Sequence, residues 1–267
     1  MRKHHGTLIH RSKDSFGTIE IVDDGYTRSL YFGNAVRQSA ADLSRPGYLV
    51  LTYTRAMMSS LLFQSSPHSV LLIGLGGGSL AKFILCHFPG CTVDAIECRE
   101  QVVQLAHSHF QLPEVPRLHI HIADGVEFVQ NRAIITSSQY DLILVDAYHD
   151  AGMDDNMGDQ RFLQACHTLL TDDGLLAINL WARDRPSYLR TRQALHHCFG
   201  TKPLLLPAEG TTNIIAMALN RAGHTDDPLK SVETHAKPLE ELTGLELRKF
   251  SRMLHKQNAS LLHRFFK

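Results

Sequence analysis

Four short stretches hold the residue types that can do chemistry in this chain, and each follows an apolar run. The first is Gly74-Leu75-Gly76-Gly77-Gly78, directly after Val70-Leu71-Leu72-Ile73. Glycines permit a tight turn and let a ligand approach the backbone with no Cβ in the way. The second is Glu97, roughly twenty residues beyond the glycines, where an acid can bind a ribose diol. The third is Ala123-Asp124-Gly125. Its aspartate can accept from the exocyclic amine of adenine, or can cap the helix that follows. The fourth is Leu142-Ile143-Leu144-Val145-Asp146-Ala147-Tyr148-His149-Asp150, an apolar run that ends in a polar, aromatic cluster. Reactive groups are expected at such an end, so Asp146, Tyr148, His149 and Asp150 are the catalytic candidates. The competing reading is a polar loop in which Asp146 ties down neighbouring backbone amides.

These residues need a scaffold that brings strand ends together. Apolar runs predict strands at 70–73, 92–96, 118–122, 141–145 and 175–180, and helical spacing predicts helices at 79–88, 100–110, 124–132, 159–170 and 186–199. Such alternation with short connections means a parallel sheet covered on both faces, with ligands beyond the carboxyl ends of its strands. Leu204-Leu205-Leu206, a turn at 207–210, and Asn213 to Leu219 read as a closing antiparallel hairpin. The expected fold is therefore α/β, a Rossmann-like doubly wound and mostly parallel seven-stranded sheet closed by that hairpin. This ending resembles S-adenosylmethionine-dependent methyltransferases more than dinucleotide dehydrogenases. Upstream, residues 7–37 alternate between turn signals at Asp23-Asp24-Gly25 and Gly33-Asn34, which predicts a small antiparallel β unit. Residues 46–63 read as a helix leading into the core strand. Residues 221–237 are polar and read as a linker, and one last helix is expected from near Pro238 towards Phe266. Its basic residues are expected to be a solvated face, not a nucleic-acid or membrane patch. The expected organisation is an N-terminal β unit (1–45), a nucleoside-binding catalytic unit (46–220), and a linker with a C-terminal helix (221–267).

Bulk properties narrow the partners. The 267 residues carry 27 Lys plus Arg and 27 Asp plus Glu, so no global charge favours nucleic acid or anionic membrane. No apolar run is long enough to span a bilayer, and Met-Arg-Lys-His-His-Gly lacks the apolar core of a secretory signal. Five cysteines without a Cys-x-x-Cys pair suit a reducing cytoplasm. Among the 17 histidines, His119 and His121 would share a strand face, but none has a carboxylate or cysteine at ligand spacing, so no metal is expected.

Taken together, the glycine turn, Glu97, Asp124-Gly125, the Tyr140-Asp141 to Val145-Asp146 strand, Gln38-Ser39, the Tyr53 region and the closing hairpin resemble the spermidine synthases, or polyamine aminopropyltransferases, from about Ser15 to Leu219. That family moves an aminopropyl group from decarboxylated S-adenosylmethionine to a diamine and leaves methylthioadenosine. The resemblance implies that Glu97 holds ribose, that Asp124 and Gly125 border adenine, and that Gln38 lies near the nucleoside beside Gly74, Gly76, Gly77 and Gly78. It also implies a small-molecule amine acceptor and the dimer usual in the family. Departures are specific. The family's Gly-Gly-Gly-Asp-Gly has Gly77 in the acid's place. His149, followed by Asp150, stands where its Asp-Ser-Ser/Thr-Asp has the amine-deprotonating acid. Tyr53-Thr54-Arg55 replaces Tyr-His-Glu. An ammonium desolvated without an acid costs several kcal/mol, whereas Arg55, if it faces the pocket, suits a carboxylate. A neutral His149 still has base character near pH 7. The expectation is alkyl transfer, aminopropyl or methyl, from S-adenosylmethionine or its decarboxylated form, leaving S-adenosylhomocysteine or methylthioadenosine. The alternatives are a non-catalytic nucleoside-binding or assembly module and, resting only on the glycines and Glu97, an NAD-dependent dehydrogenase.

Overall fold

The computed structural model describes residues 5–147, 155–220, 227–230 and 232–262. Alternating, turn-punctuated residues near the N-terminus form a four-stranded antiparallel sheet: β1 (Thr7–Asp14), β2 (Gly17–Asp23), β3 (Thr27–Tyr31) and β4 (Arg37–Asp42), paired in sequence order. Its apolar face, Ile19, Ile21, Leu30 and Phe32, packs on Val102, Leu105 and Phe110 of helix α3 (Glu100–Phe110). A short helix α1 (Thr52–Met57) continues as a 3-10 turn, Met58–Leu62, and leads into the second sheet.

That sheet has seven strands. Five are parallel: β5 (Ser69–Ile73), β6 (Thr92–Glu97), β7 (Leu118–Ile122), β8 (Tyr140–Val145) and β9 (Leu170–Trp181). The hairpin β10 (Leu204–Pro207) and β11 (Asn213–Leu219) closes it antiparallel, giving the order β10-β11-β9-β8-β5-β6-β7. The α/β fold expected from the sequence is present, with its closing hairpin and its N-terminal β unit. Alternation along β5 sends Val70 and Leu72 into the core on one face and Leu71 and Ile73 into the core on the other. A strand buried on both sides must read as an unbroken apolar run. One face is covered by α2 (Ser79–His87) and the C-terminal helices, the other by α4 (Gly125–Ile135), α5 (Gln160–Leu169) and α6 (Arg185–Phe199). Asp124, Asp159 and Asp184 start α4, α5 and α6 by accepting backbone N–H bonds, each satisfying a donor that the first helical turn leaves open.

The C-terminal expectation needs correction. Two helices stand in place of one: α7 (Val232–Thr243) and α8 (Leu247–Leu262). Pro238 lies inside α7 and does not begin it. The break falls at Gly244, whose φ of +69° is the left-handed geometry that ends helices. The stretch read as linker also supplies core: Leu229, Val232 and Ala236 are buried, an apolar stripe that the polar composition around it conceals. Helix α8 also protects the sheet edge. Buried Asn258 accepts from Leu205 N at 3.0 Å and donates to Leu205 O at 3.1 Å, so one side-chain amide takes the place of a neighbouring strand along β10. No helix among the described residues is long and apolar enough to cross a membrane. His119 does meet a carboxylate, Asp94 on the neighbouring strand at 2.8 Å, but no three metal-ligating groups gather among the described residues.

Candidate active site

Along the carboxyl edge of the sheet, the order β7, β6, β5, β8, β9, β11 sets out Asp124, Glu97, the glycine turn, Asp146, Asn179 and Asn213 in a row. All of them border one cavity of about 830 Å3, within the range of small-molecule sites. Parallel strands bring their carboxyl ends here. Strand β11 runs the other way, so its first residue, Asn213, lies opposite Trp181 at the end of β9. The N-terminal sheet contributes Gln38 and Ser39 to the wall, and α1 contributes Thr52 and Tyr53.

The glycine turn is built by close approach. At Gly74, with φ of +93°, a Cβ would lie 2.3 Å from the Asp146 carbonyl oxygen, so any side chain would drive β5 and β8 apart at their ends. Gly74 and Gly76 line the cavity; Gly77 and Gly78 do not. A Cβ on Gly77 would meet Phe110 Cδ1 and Ser39 Oγ at 2.9 Å each, and one on Gly78 would meet Leu112 Cδ1 at 2.7 Å. Those two glycines serve the packing of the turn on α3 and do not form the cavity wall.

Glu97 is buried at the back of the turn. Its Oε2 accepts from the Leu75 and Gly76 amides at 3.2 and 3.4 Å, and its Oε1 from Arg99 N at 3.1 Å. Burial and the Glu97 carboxylate push the neighbouring Cys98 thiol up to about 11, which keeps it protonated. Arg99 also borders the cavity, but its guanidinium is held by Asp14 at 2.8 and 3.0 Å and lies over Phe32. Asp124 is the helix cap, and the cap leaves it at the cavity: Oδ1 accepts from Glu127 N at 2.8 Å at the start of α4, while the residue is exposed on the cavity wall. Gly125 beside it faces Ile73, 2.7 Å from where a Cβ would stand.

Among the described residues, the Asp146 carboxylate is held by side chains. Its Oδ1 accepts from Asn179 Nδ2 at 2.9 Å and its Oδ2 from the Tyr53 hydroxyl at 3.2 Å, and Tyr53 also reaches the Gln38 carbonyl at 3.3 Å. Burial raises its pKa to about 7, against which the two neutral donors pull only in part. Tyr148, His149 and Asp150 lie outside the described residues. Arg55 is the clearest departure. It does not border the cavity; its guanidinium pairs with Glu246, next to the start of α8, because α1 turns that side of the helix towards the C-terminal helices.

Sequence reasoning missed Asn179, Asn213, Trp181 and Arg37, all of which border the cavity. Asn179 interrupts the apolar end of β9, a signal that was readable, and is only 1% exposed. Asn213 was hidden by the assumption that only parallel strand ends face the ligand. Arg37 is exposed and has no ion-pair or side-chain hydrogen-bond partner among the described residues.

A family profile described as "Spermine/spermidine synthase domain" matches residues 51–180. The chain is 34% identical over 251 residues to a polyamine aminopropyltransferase of Chromobacterium violaceum, covering 94% of each. It is 32% identical over 262 residues to one of Neisseria meningitidis serogroup A, covering 97% of this chain and 96% of the relative. Among solved structures, human methyltransferase-like protein 13 in complex with SAH superposes with a TM-score of 0.63 at 25% identity, covering 74% of this chain and 92% of that one.

Proposed function

The chain belongs to the polyamine aminopropyltransferase family, and on that premise we propose that it transfers an alkyl group from an adenosyl sulfonium donor to an amine. The observation that carries the reading is the row of carboxylates along one cavity, Asp124, Glu97 and then Asp146, with the glycine turn between the last two. Adenine would lie by Asp124 and Gly125, and the ribose hydroxyls by Glu97. The sulfonium would then fall between the turn and Asp146. The acceptor amine would enter from the side of Tyr53, Asn179 and Asn213.

The chemistry is a displacement. The amine nitrogen attacks the carbon on sulfur; the C–N bond forms as the C–S bond breaks, and its electron pair goes to sulfur, leaving a neutral thioether. An ammonium cannot attack, so its proton must first go to a base. Asp146, raised to about 7, is matched to that task near neutral pH. As a carboxylate it also offers the opposite charge that an incoming ammonium needs on leaving water. His149 and Asp150, next in the chain, are proposed as partners in this proton transfer. With decarboxylated S-adenosylmethionine as donor the group moved is aminopropyl and the product methylthioadenosine.

Arg37 favours a second reading. A guanidinium on the cavity wall with no ion-pair partner among the described residues suits a carboxylate, which intact S-adenosylmethionine has and its decarboxylated form lacks. That donor would transfer methyl and leave S-adenosylhomocysteine. The experiment is a melting assay with methylthioadenosine and S-adenosylhomocysteine, followed by turnover of each donor with a linear diamine, read by mass spectrometry. A stabilising shift that Glu97→Ala abolishes, and an aminopropylated product, are the expected results. No shift with either thioether would overturn the reading, and methylated product alone would replace it with the second.

A further inference from the structure

The closing hairpin brings a second amide up behind the one that touches Asp146. Asn213 Nδ2 donates to Asn179 Oδ1 at 2.9 Å, and Asn179 Nδ2 donates to Asp146 Oδ1 at 2.9 Å. The direction of this chain of bonds follows from chemistry. A carboxylate can only accept, so Asn179 must present its NH2 group to Asp146 and its carbonyl to Asn213. With its carbonyl turned to Asp146 instead, two acceptors would meet unless Asp146 were protonated. Asn213 is itself held by its backbone: its N–H donates to Thr211 Oγ1 at 3.2 Å and its carbonyl accepts from Ala208 N at 2.9 Å.

We propose that Asn213 is a positioning residue: by donating to Asn179 it orients that amide towards Asp146 and thereby holds the Asp146 carboxylate ionised and ready to accept a proton. This deepens the reading of Asp146 as the amine's proton acceptor and rests on it only for its use in catalysis. The amides matter because no cation hydrogen-bonds Asp146 among the described residues. Tyr53 from α1 and Asn179 from β9 are its side-chain donors among the described residues, and both are neutral. The glycine turn presents backbone at Gly74, β4 presents the Gln38 carbonyl to Tyr53, and β11 presents Asn213. The other titratable groups on the cavity wall are Arg37, Glu97, Cys98, Arg99 and Asp124, and none hydrogen-bonds Asp146 among the described residues. Tyr148, His149 and Asp150 follow in the chain outside those residues. Any field from them is common to the wild type and to a variant at Asn213, so a difference between the two reports the relay.

The test is a carboxyl-carbon NMR titration of the ligand-free, full-length protein labelled with 13C-aspartate, with Asp146→Asn identifying the Asp146 signal. Asp146 is expected to titrate well above an ordinary aspartate. Asn213→Leu removes the donor to Asn179 without adding charge and is expected to raise that midpoint by about one pH unit, the scale of one hydrogen bond to a charged group. Asn179→Leu should raise it at least as far. Asn213→Asp is the second variant, chosen because it keeps the size and polarity of the site. It draws the Asn179 NH2 to itself, turns the carbonyl to Asp146, and should give the largest rise. A midpoint that moves in Asn179→Leu but in neither Asn213 variant overturns the proposal, as does a fall in Asn213→Asp. The titration needs no turnover. A shifted midpoint in a protein that transfers nothing would keep the relay and discard the functional reading, whereas turnover with an unshifted midpoint would do the reverse. If turnover is found, the acidic limb of kcat/KM should move with the NMR midpoint, which a merely structural Asn213 would not cause.

Discussion

Asp146→Asn should make the protein more stable at alkaline pH and leave it unchanged in acid. The folded protein holds the Asp146 carboxyl at about 7 where the unfolded chain returns it to 3.8, a rise of about three units. Because the folded pKa is the higher one, the folded state binds more protons between these values, and stability is lost as pH climbs from about 4 through 7. Three units correspond to roughly 4 kcal/mol. The residue borders an open cavity, where solvent screens the charge, so about 2 kcal/mol is the working figure. Asparagine has nearly the same shape: its carbonyl accepts from Asn179, and the Tyr53 hydroxyl, which loses its acceptor at residue 146, keeps the Gln38 carbonyl. For a chain of this size, 2 kcal/mol is about 4 °C in Tm. Calorimetry of the two proteins at pH 4.5 and pH 8.5 is the assay, the two pH values being roughly the ends of the titration window. The expected result is near coincidence at the lower pH and a higher Tm for the variant at the upper. A variant less stable at the upper pH would mean that the Asp146 charge is compensated in the fold, and the case for it as a neutral-pH base would fail.

Asn258→Leu should cost about 3 kcal/mol in urea unfolding, because both Leu205 backbone groups lose their partner inside the protein; an unchanged midpoint would show that the edge of β10 is satisfied otherwise. Gly77→Asp, which puts an acid into the glycine turn, should cost about 1–3 kcal/mol because its Cβ collides with Phe110 and Ser39. Wild-type stability with tighter binding of the decarboxylated donor would refute that packing argument. Arg55→Met removes a pair whose acid is half exposed and should cost less than about 1 kcal/mol. Methylthioadenosine affinity, measured calorimetrically, should not change; a tenfold loss would return Arg55 to the site.

Gly77 and Arg55 show how a residue's type can be read correctly and its role missed. Gly77 reads from its local pattern as a position facing the ligand, and its neighbour across the turn is Phe110, which no local pattern connects to it. Arg55 was a free cation in the sequence and meets Glu246, 191 residues on, in the fold. The C-terminal helices were misread for the opposite reason: a proline and a polar stretch are strong local signals, and burial of Val232, Ala236 and Leu239 against the sheet's cover outweighed them.

What the sequence determined by itself was everything set by near neighbours along the chain. Buried strands such as Ser69–Ile73 show as apolar runs, the tight turn shows as glycines, helix starts show as aspartates, and Glu97 and Asp124 fall at strand ends because strand and helix lengths are narrowly constrained. These features are enough to imply the sheet and the half of the cavity lined by Glu97 and Asp124. The half beside Asp146 was decided only by tertiary structure. Asn179 and Asn213 are 33 and 67 residues beyond Asp146; Asn179 meets it because β9 lies beside β8, and Asn213 meets Asn179 because β11 runs antiparallel to β9. Hydrogen bonds between side chains depend on where three strands stop relative to one another, and strand register is a property of the assembled sheet.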